Sequence, residues 1–118
     1  LVNNVFAAPE RMPVGVPFWE LPASLWDILH GVGLRSHFIA SRLAAPMMVA
    51  AKRGLIVNTS SGGAVRDNFN VPFGVQKAGV DRMSKGMAHE RERFEQSAHQ
   101  CADQVGAKRP GLIGARGE

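Results

Sequence analysis

The chain has 118 residues, of which 45% are hydrophobic and 20% charged, the proportions of one ordinary globular domain. Its net charge of +4 is spread along the sequence, and acidic residues interleave with basic ones between Glu90 and Glu95. That pattern describes a solvated helix face and not a basic nucleic-acid module. One cysteine, Cys101, leaves no intrachain disulfide or cysteine metal cluster, and no apolar run is long enough to span a membrane. The expected compartment is therefore the cytoplasm.

The first residues allow a short strand that ends in Asn3 and Asn4, a pair that commonly marks a turn. Residues 7–22 contain four prolines and read as a loop. Ser24 is placed to cap the next helix, with Asp27 three residues on as its capping-box partner. Leu25, Ile28, Leu29 and Val32, followed by Phe38, Ile39, Leu43 and Met47, recur at helical intervals and are expected to pack on a sheet. Pro46 should kink or end that helix.

Leu55-Ile-Val57 is a short, largely β-branched run after Gly54 and reads as a buried strand, closed by the small polar residues from Asn58 to Gly63. Ser61 then stands just past the strand's carboxyl end, the edge at which open α/β sheets bind ligands. Pro72 fits the first turn of a helix, and apolar residues from Phe73 through Ala78, Val80, Met83 and Met87 carry that helix toward Phe94. Phe73 and Lys77 are four residues apart, so they share a face and rise roughly 6 Å along the axis. Four histidines, His30, His37, His89 and His99, show no metal-ligand spacing, and no metal site is expected.

The order Ser61, Phe73, Lys77 resembles the signature of the short-chain dehydrogenase/reductase family, in which a serine after a strand precedes Tyr-x-x-x-Lys by about a dozen residues; here Ser61 lies 12 positions before Phe73. Leu1-Val-Asn3-Asn4 is similar to the family's Asn-Asn-Ala-Gly turn, with Val5 and Phe6 replacing its alanine and glycine. The segments Phe18 to Asp27, Val32 to Arg35, Asn70 to Gly74 and Met87 to Glu90 are closer still to the member-1-like subgroup.

The resemblance implies an α/β fold, a Rossmann-like doubly wound parallel sheet, here partial and lacking the N-terminal nucleotide-binding half. It implies hydride transfer between NAD(H) or NADP(H) and a small carbonyl or alcohol. In the family the tyrosine exchanges the substrate proton, the serine holds the carbonyl oxygen, and the lysine binds the nicotinamide ribose and lowers the tyrosine pKa. The corresponding catalytic positions are Ser61, Phe73 and Lys77, and the cofactor-side positions are Asn3, Asn4 and Lys77. Phe73 has no proton to give, and the position of the family's relay asparagine falls at Gly33.

No glycine-rich strand-to-helix turn of the kind that cradles a pyrophosphate occurs in the sequence, so cofactor binding by this chain is doubtful, and residues 1–91 read as the central part of a larger domain. Residues 92–118 diverge: a polar stretch replaces the expected apolar strand, through either a shifted reading frame or a polar helical substitute, before a Pro110-Gly-Leu-Ile113 loop remnant. With so few strands, the chain is expected either to be marginally stable or to bury its exposed sheet edge by association, and the resemblance separately implies dimerisation through the helical segment that runs from Ser24 to Met47. Two functions remain open: an incomplete or inactive NAD(P)-dependent oxidoreductase, and a non-catalytic binding or oligomerisation module derived from one.

Overall fold

The computed structural model describes residues 1–7, 9–67 and 69–106, with side chains described up to residue 92. Two strands, β1 (Val2–Asn3) and β2 (Val57–Asn58), pair in parallel, with Val2 opposite Val57 and Asn3 opposite Asn58. Strands in parallel require a long crossover. It consists here of the proline-rich loop, α1 (Ala23–His30), a π-turn (Gly31–Arg35) and α2 (Ser36–Ala50). After β2 comes α3 (Val71–Gly106). The chain divides into two compact units at Lys85 and Gly86; the described part of the second is the remainder of α3.

β2 is registered later than the apolar run Leu55 to Val57, because its ladder is set by the two residues of β1. The Val57 and Thr59 amides donate to Leu1 and Asn3 carbonyls, both at 2.9 Å. The start of α1 also differs from expectation. Pro22 holds the N-cap position and Ser24 lies inside the first turn, with no side-chain cap there. Proline's fixed backbone already sets the entry angle, which removes the need for a hydroxyl.

Pro46 does not end α2, which continues for four residues to Ala50. Beyond it, Lys52 takes a left-handed φ of 52° and the Lys52 and Arg53 amides donate back to Val49 and Met48 carbonyls. This is the termination that usually calls on glycine, made here by Lys52, six residues after the proline. The start of α3 is capped by Asn70, whose Oδ1 accepts from the Phe73 amide at 3.0 Å while its Nδ2 donates to the Pro13 carbonyl at 3.1 Å. That one side chain fixes both the helix that carries Phe73 and the loop that passes in front of it.

Leu25, Leu29 and Phe73 form an apolar core cluster, with Met12 and Leu21 packed against it, and Val80 is fully buried as well. The expectation that the whole apolar series of α1 and α2 faces the sheet is corrected. Ile28 and Phe38 are about half exposed, and Leu43 and Met47 are 65% and 68% exposed. The residues α2 buries are polar, His37 and Ser41. They meet Asn3, whose Nδ2 donates to the His37 carbonyl (3.4 Å), Ser41 Oγ (3.1 Å) and Asn58 Oδ1 (2.8 Å). Asn58 Nδ2 continues to Ser84 Oγ, which donates to the Val80 carbonyl, so a polar chain joins β1, β2, α2 and α3.

Candidate functional site

The carboxyl ends of β1 and β2 and the first turns of α3 converge on one region. After β2, the chain passes Ser60 and Ser61 and makes a single 3-10 turn at Gly62–Ala64. Ser61 caps that turn, its exposed Oγ accepting from the Gly63 amide at 3.2 Å. The oxygen keeps its own proton free to donate outward. Ser60 Oγ donates to the Lys77 carbonyl at 3.3 Å, which ties the serine loop to α3.

Phe73 is 6% exposed. Its ring fills the space beside Gly63 so closely that a Cβ added there would collide with Cε1. Phe6, just past β1, and Phe69 meet it edge to face, with centroids 5.9 and 4.9 Å away. Phe69 holds a left-handed φ of 67°, a conformation that a bulky side chain adopts only under tertiary constraint. Lys77 Nζ lies 5.1 Å from the Phe6 centroid and 5.7 Å from that of Phe73, so its charge faces the negative rings of both.

Lys77 is 7% exposed, which sets it apart from an ordinary solvated helix lysine. Burial lowers its pKa, and the Asp81 carboxylate one turn on opposes part of that shift. A lysine with a folded-state pKa below its unfolded value destabilises the fold wherever it must be charged. The penalty is full below the folded pKa and fades as pH rises from there toward 10.5. Replacing Lys77 with Met is therefore expected to raise the urea midpoint at neutral pH, and the advantage over the unaltered chain should shrink as pH approaches 10.5. A constant offset across that range would show that desolvation is not the cause.

Of the residues picked out by sequence, Ser61, Phe73 and Lys77 are brought together by the serine loop and α3. Asn3 is buried, and its amide nitrogen points into the polar chain of the interior. Asn4 is exposed beside it. Phe69, His37 and Ser41 were not anticipated as parts of this region, and Phe6 and Asn70 stood out only as members of the family-like segments, without a role of their own. Asn70 did carry a signal, a cap-forming residue two positions before Pro72. His37 Nε2 donates to the Val5 carbonyl at 3.2 Å, which holds the segment leading to Phe6. Among the described residues there is no group of three or more potential metal ligands, and no helix is long and apolar enough to cross a membrane.

A family model described as short chain dehydrogenase matches residues 1–102. The chain belongs to the short-chain dehydrogenase family. It is 46% identical over 95 residues to dehydrogenase/reductase SDR family member 1 of Mus musculus and 45% identical to that of Homo sapiens; each match covers 79% of this chain. The chain spans 30% of the length of these two relatives. Among solved structures, a 3-oxoacyl-[acyl-carrier protein] reductase from Brucella melitensis with bound NAD superposes with a TM-score of 0.69 at 30% identity, covering 79% of this chain and 36% of its own. The fold is accordingly the α/β Rossmann-like fold of this family, represented here by two parallel strands and the helices that flank them.

The family's dinucleotide does not fit the described residues as a whole. Gly62 and Gly63 form a 3-10 turn, and the space that a glycine would leave for a phosphate at Gly63 is filled by the Phe73 ring. Gly31 and Gly33 lie in the π-turn. None of these is the strand-to-helix glycine turn that holds a pyrophosphate.

Proposed function

We propose that the chain carries the carbonyl-side part of a short-chain oxidoreductase site in a catalytically silent form. The observation that supports this most directly is Phe73, a buried ring in the tyrosine position between the Ser61 loop and Lys77. Ser61 retains a hydroxyl that can donate to a small carbonyl or accept from an alcohol, and Lys77 supplies a cation nearby. The proton donor between them is replaced by a hydrocarbon edge. Loss of a positioned general acid removes about 10²–10⁴-fold in rate. On this reading residues 1–91 are the site-bearing part of the domain and residues 92–118 are a divergent segment. NAD or NADP would be engaged only at the Lys77 end by this chain.

The chain contains no tyrosine, so the phenol introduced by Phe73→Tyr can be titrated without background. Burial raises the pKa of that phenol and the Lys77 ammonium lowers it, so the pKa is expected to be lower with Lys77 present than without it. The phenol should therefore titrate at higher pH when Lys77→Met is added. Equal phenol pKa values in the two proteins would mean that Lys77 does not address the tyrosine position, and the reading would fail.

Association of two copies is a second reading, supported by the apolar face that α2 turns outward. Trp26, Leu34, Phe38 and Met83 line an open groove of about 690 Å³ between the crossover helices and α3. A second copy of the chain is the occupant proposed for this groove. Sedimentation velocity should show a dimer that Phe38→Glu converts to monomer; a monomer at all concentrations in the unaltered chain would remove this reading.

A further inference from the structure

Lysines are almost never buried as far as Lys77 unless a partner neutralises them. Among the described residues, however, no hydrogen bond or close ion pair engages its Nζ, and Asp81 acts on it only through the longer-range field. What surrounds the amine is the pair of rings from Phe6 and Phe73, with centroids 5.1 and 5.7 Å away. The nitrogen is not sealed in: the enclosed and unpartnered side-chain atoms belong to His30, His37 and Gln76. Phe6, the nearer ring, is itself about half exposed, so Nζ lies just beneath the surface. The backbone that carries it is fixed twice, by the Asn70 cap on the Phe73 amide and by the Ser60 hydroxyl on the Lys77 carbonyl. An unpaired amine against apolar walls, held on a rigid helix and open to small molecules, has the surroundings of a nucleophilic lysine.

We propose that Lys77 captures small apolar aldehydes covalently as an imine, with the Phe6 ring as the contact for the aldehyde's hydrocarbon body. The lone pair of the neutral amine forms a bond to the carbonyl carbon, and the carbonyl π pair moves to oxygen, which takes up a proton. The resulting carbinolamine loses its oxygen as water while nitrogen gives up its remaining proton and forms the C=N bond. One aldehyde and one amine thus give one imine and one water, with nothing oxidised or reduced. Desolvation supplies the neutral amine that the first step needs, because it disfavours the ammonium form. The inference goes beyond the proposed function, since it requires neither a dinucleotide nor a proton donor at position 73. Titration of a phenol there reports on the charge of Lys77 and adduct formation on its nucleophilicity, so either can fail without the other.

Reductive trapping of the 118-residue chain tests it. The protein is treated at neutral pH with benzaldehyde and sodium cyanoborohydride, which reduces an imine in preference to the free aldehyde, and the benzylated lysines are quantified by peptide mass spectrometry over time. Lys77 is expected to be labelled about tenfold faster, or more, than the exposed Lys52 and Lys85, because its amine is the desolvated one. Lys77→Arg, which keeps the charge and removes the nucleophile, should eliminate the fast-labelled lysine and leave the rates at Lys52 and Lys85 as they were. Phe6→Ala should slow labelling at Lys77 severalfold by letting water reach the amine, with no change at Lys52. Labelling of Lys77 no faster than that of Lys52 and Lys85 overturns the proposal. Faster labelling of Lys77 in folded Phe6→Ala overturns the part assigned to the ring, since the ring would then be only an obstruction. Should Phe6→Ala fail to fold, the ratio of rates in the unaltered chain decides alone.

Discussion

Replacing Phe73 with Ala is expected to lower stability by about 3–5 kcal/mol, the usual loss for deleting a buried aromatic ring. The ring belongs to the small core with Leu25 and Leu29, and it also receives the edges of Phe6 and Phe69 and fills the space left by Gly63. Few other groups stand ready to collapse into the space, since Phe6 and Phe69 are themselves about half exposed. A domain's stability is typically about 5–15 kcal/mol, so this single change removes a large share of it. Phe73→Leu, which keeps apolar volume, should recover a substantial part. Chemical denaturation of the three proteins measures both effects. A loss under about 1 kcal/mol for Ala would show that the ring is peripheral and not a core member.

Asn3→Leu is the second large effect, expected at about 3 kcal/mol from the cost of leaving buried polar groups unmatched. Leucine has nearly the same shape but donates nothing. The substitution removes the Asn3 donor from Ser41 Oγ and Asn58 Oδ1, and the second, longer hydrogen bond from the His37 carbonyl. Asn3→Asp separates shape from donation. Its ionised carboxylate would face three acceptors, so the variant should be destabilised at neutral pH and recover as the carboxyl protonates in acid, relative to the unaltered chain at the same pH. The sign follows from linkage: those acceptors raise the folded-state pKa of the new carboxyl, and stability is lost as pH rises from the unfolded to the folded pKa. Equal denaturation midpoints for the Asn3→Leu and unaltered proteins would show that the polar chain contributes little.

These two expectations also mark what the sequence could and could not convey. The order of Ser61, Phe73 and Lys77 translated directly into geometry because a strand end and one helical turn have fixed dimensions. Helical periodicity likewise located α1, α2 and α3. Periodicity does not say which face turns inward. For α2 the inward face is His37 and Ser41, four residues apart, and the apolar residues Leu43 and Met47 turn outward. The buried face was chosen by hydrogen bonding to Asn3, a residue 34 positions or more away in sequence. Phe6 and Phe69 were hidden for the same reason, since neither is near Phe73 and Lys77 on a common helix face and only the crossing of the loops brings them there.

Gly33 and Gln76 were legible separately, as a glycine in a helical segment and as the residue before Lys77. The collision that a Cβ at Gly33 would make with the Gln76 amide was not, because it arises from the close approach of the crossover helix and α3. Phe73 shows the opposite case. Its place in the order Ser61, Phe73, Lys77 is visible in the sequence, and the structure adds that the ring is also part of the core.

Hydride transfer by the unaltered 118-residue chain is the most direct test of this account. Purified chain is incubated with NADH or NADPH and a panel of small aldehydes and ketones, and oxidation of the nicotinamide is followed optically against a Lys77→Met control. Equal, background rates are expected for the two proteins. Turnover by the unaltered chain that Lys77→Met abolishes would contradict it, because a site with Phe73 in place of the proton donor would then be catalytically competent.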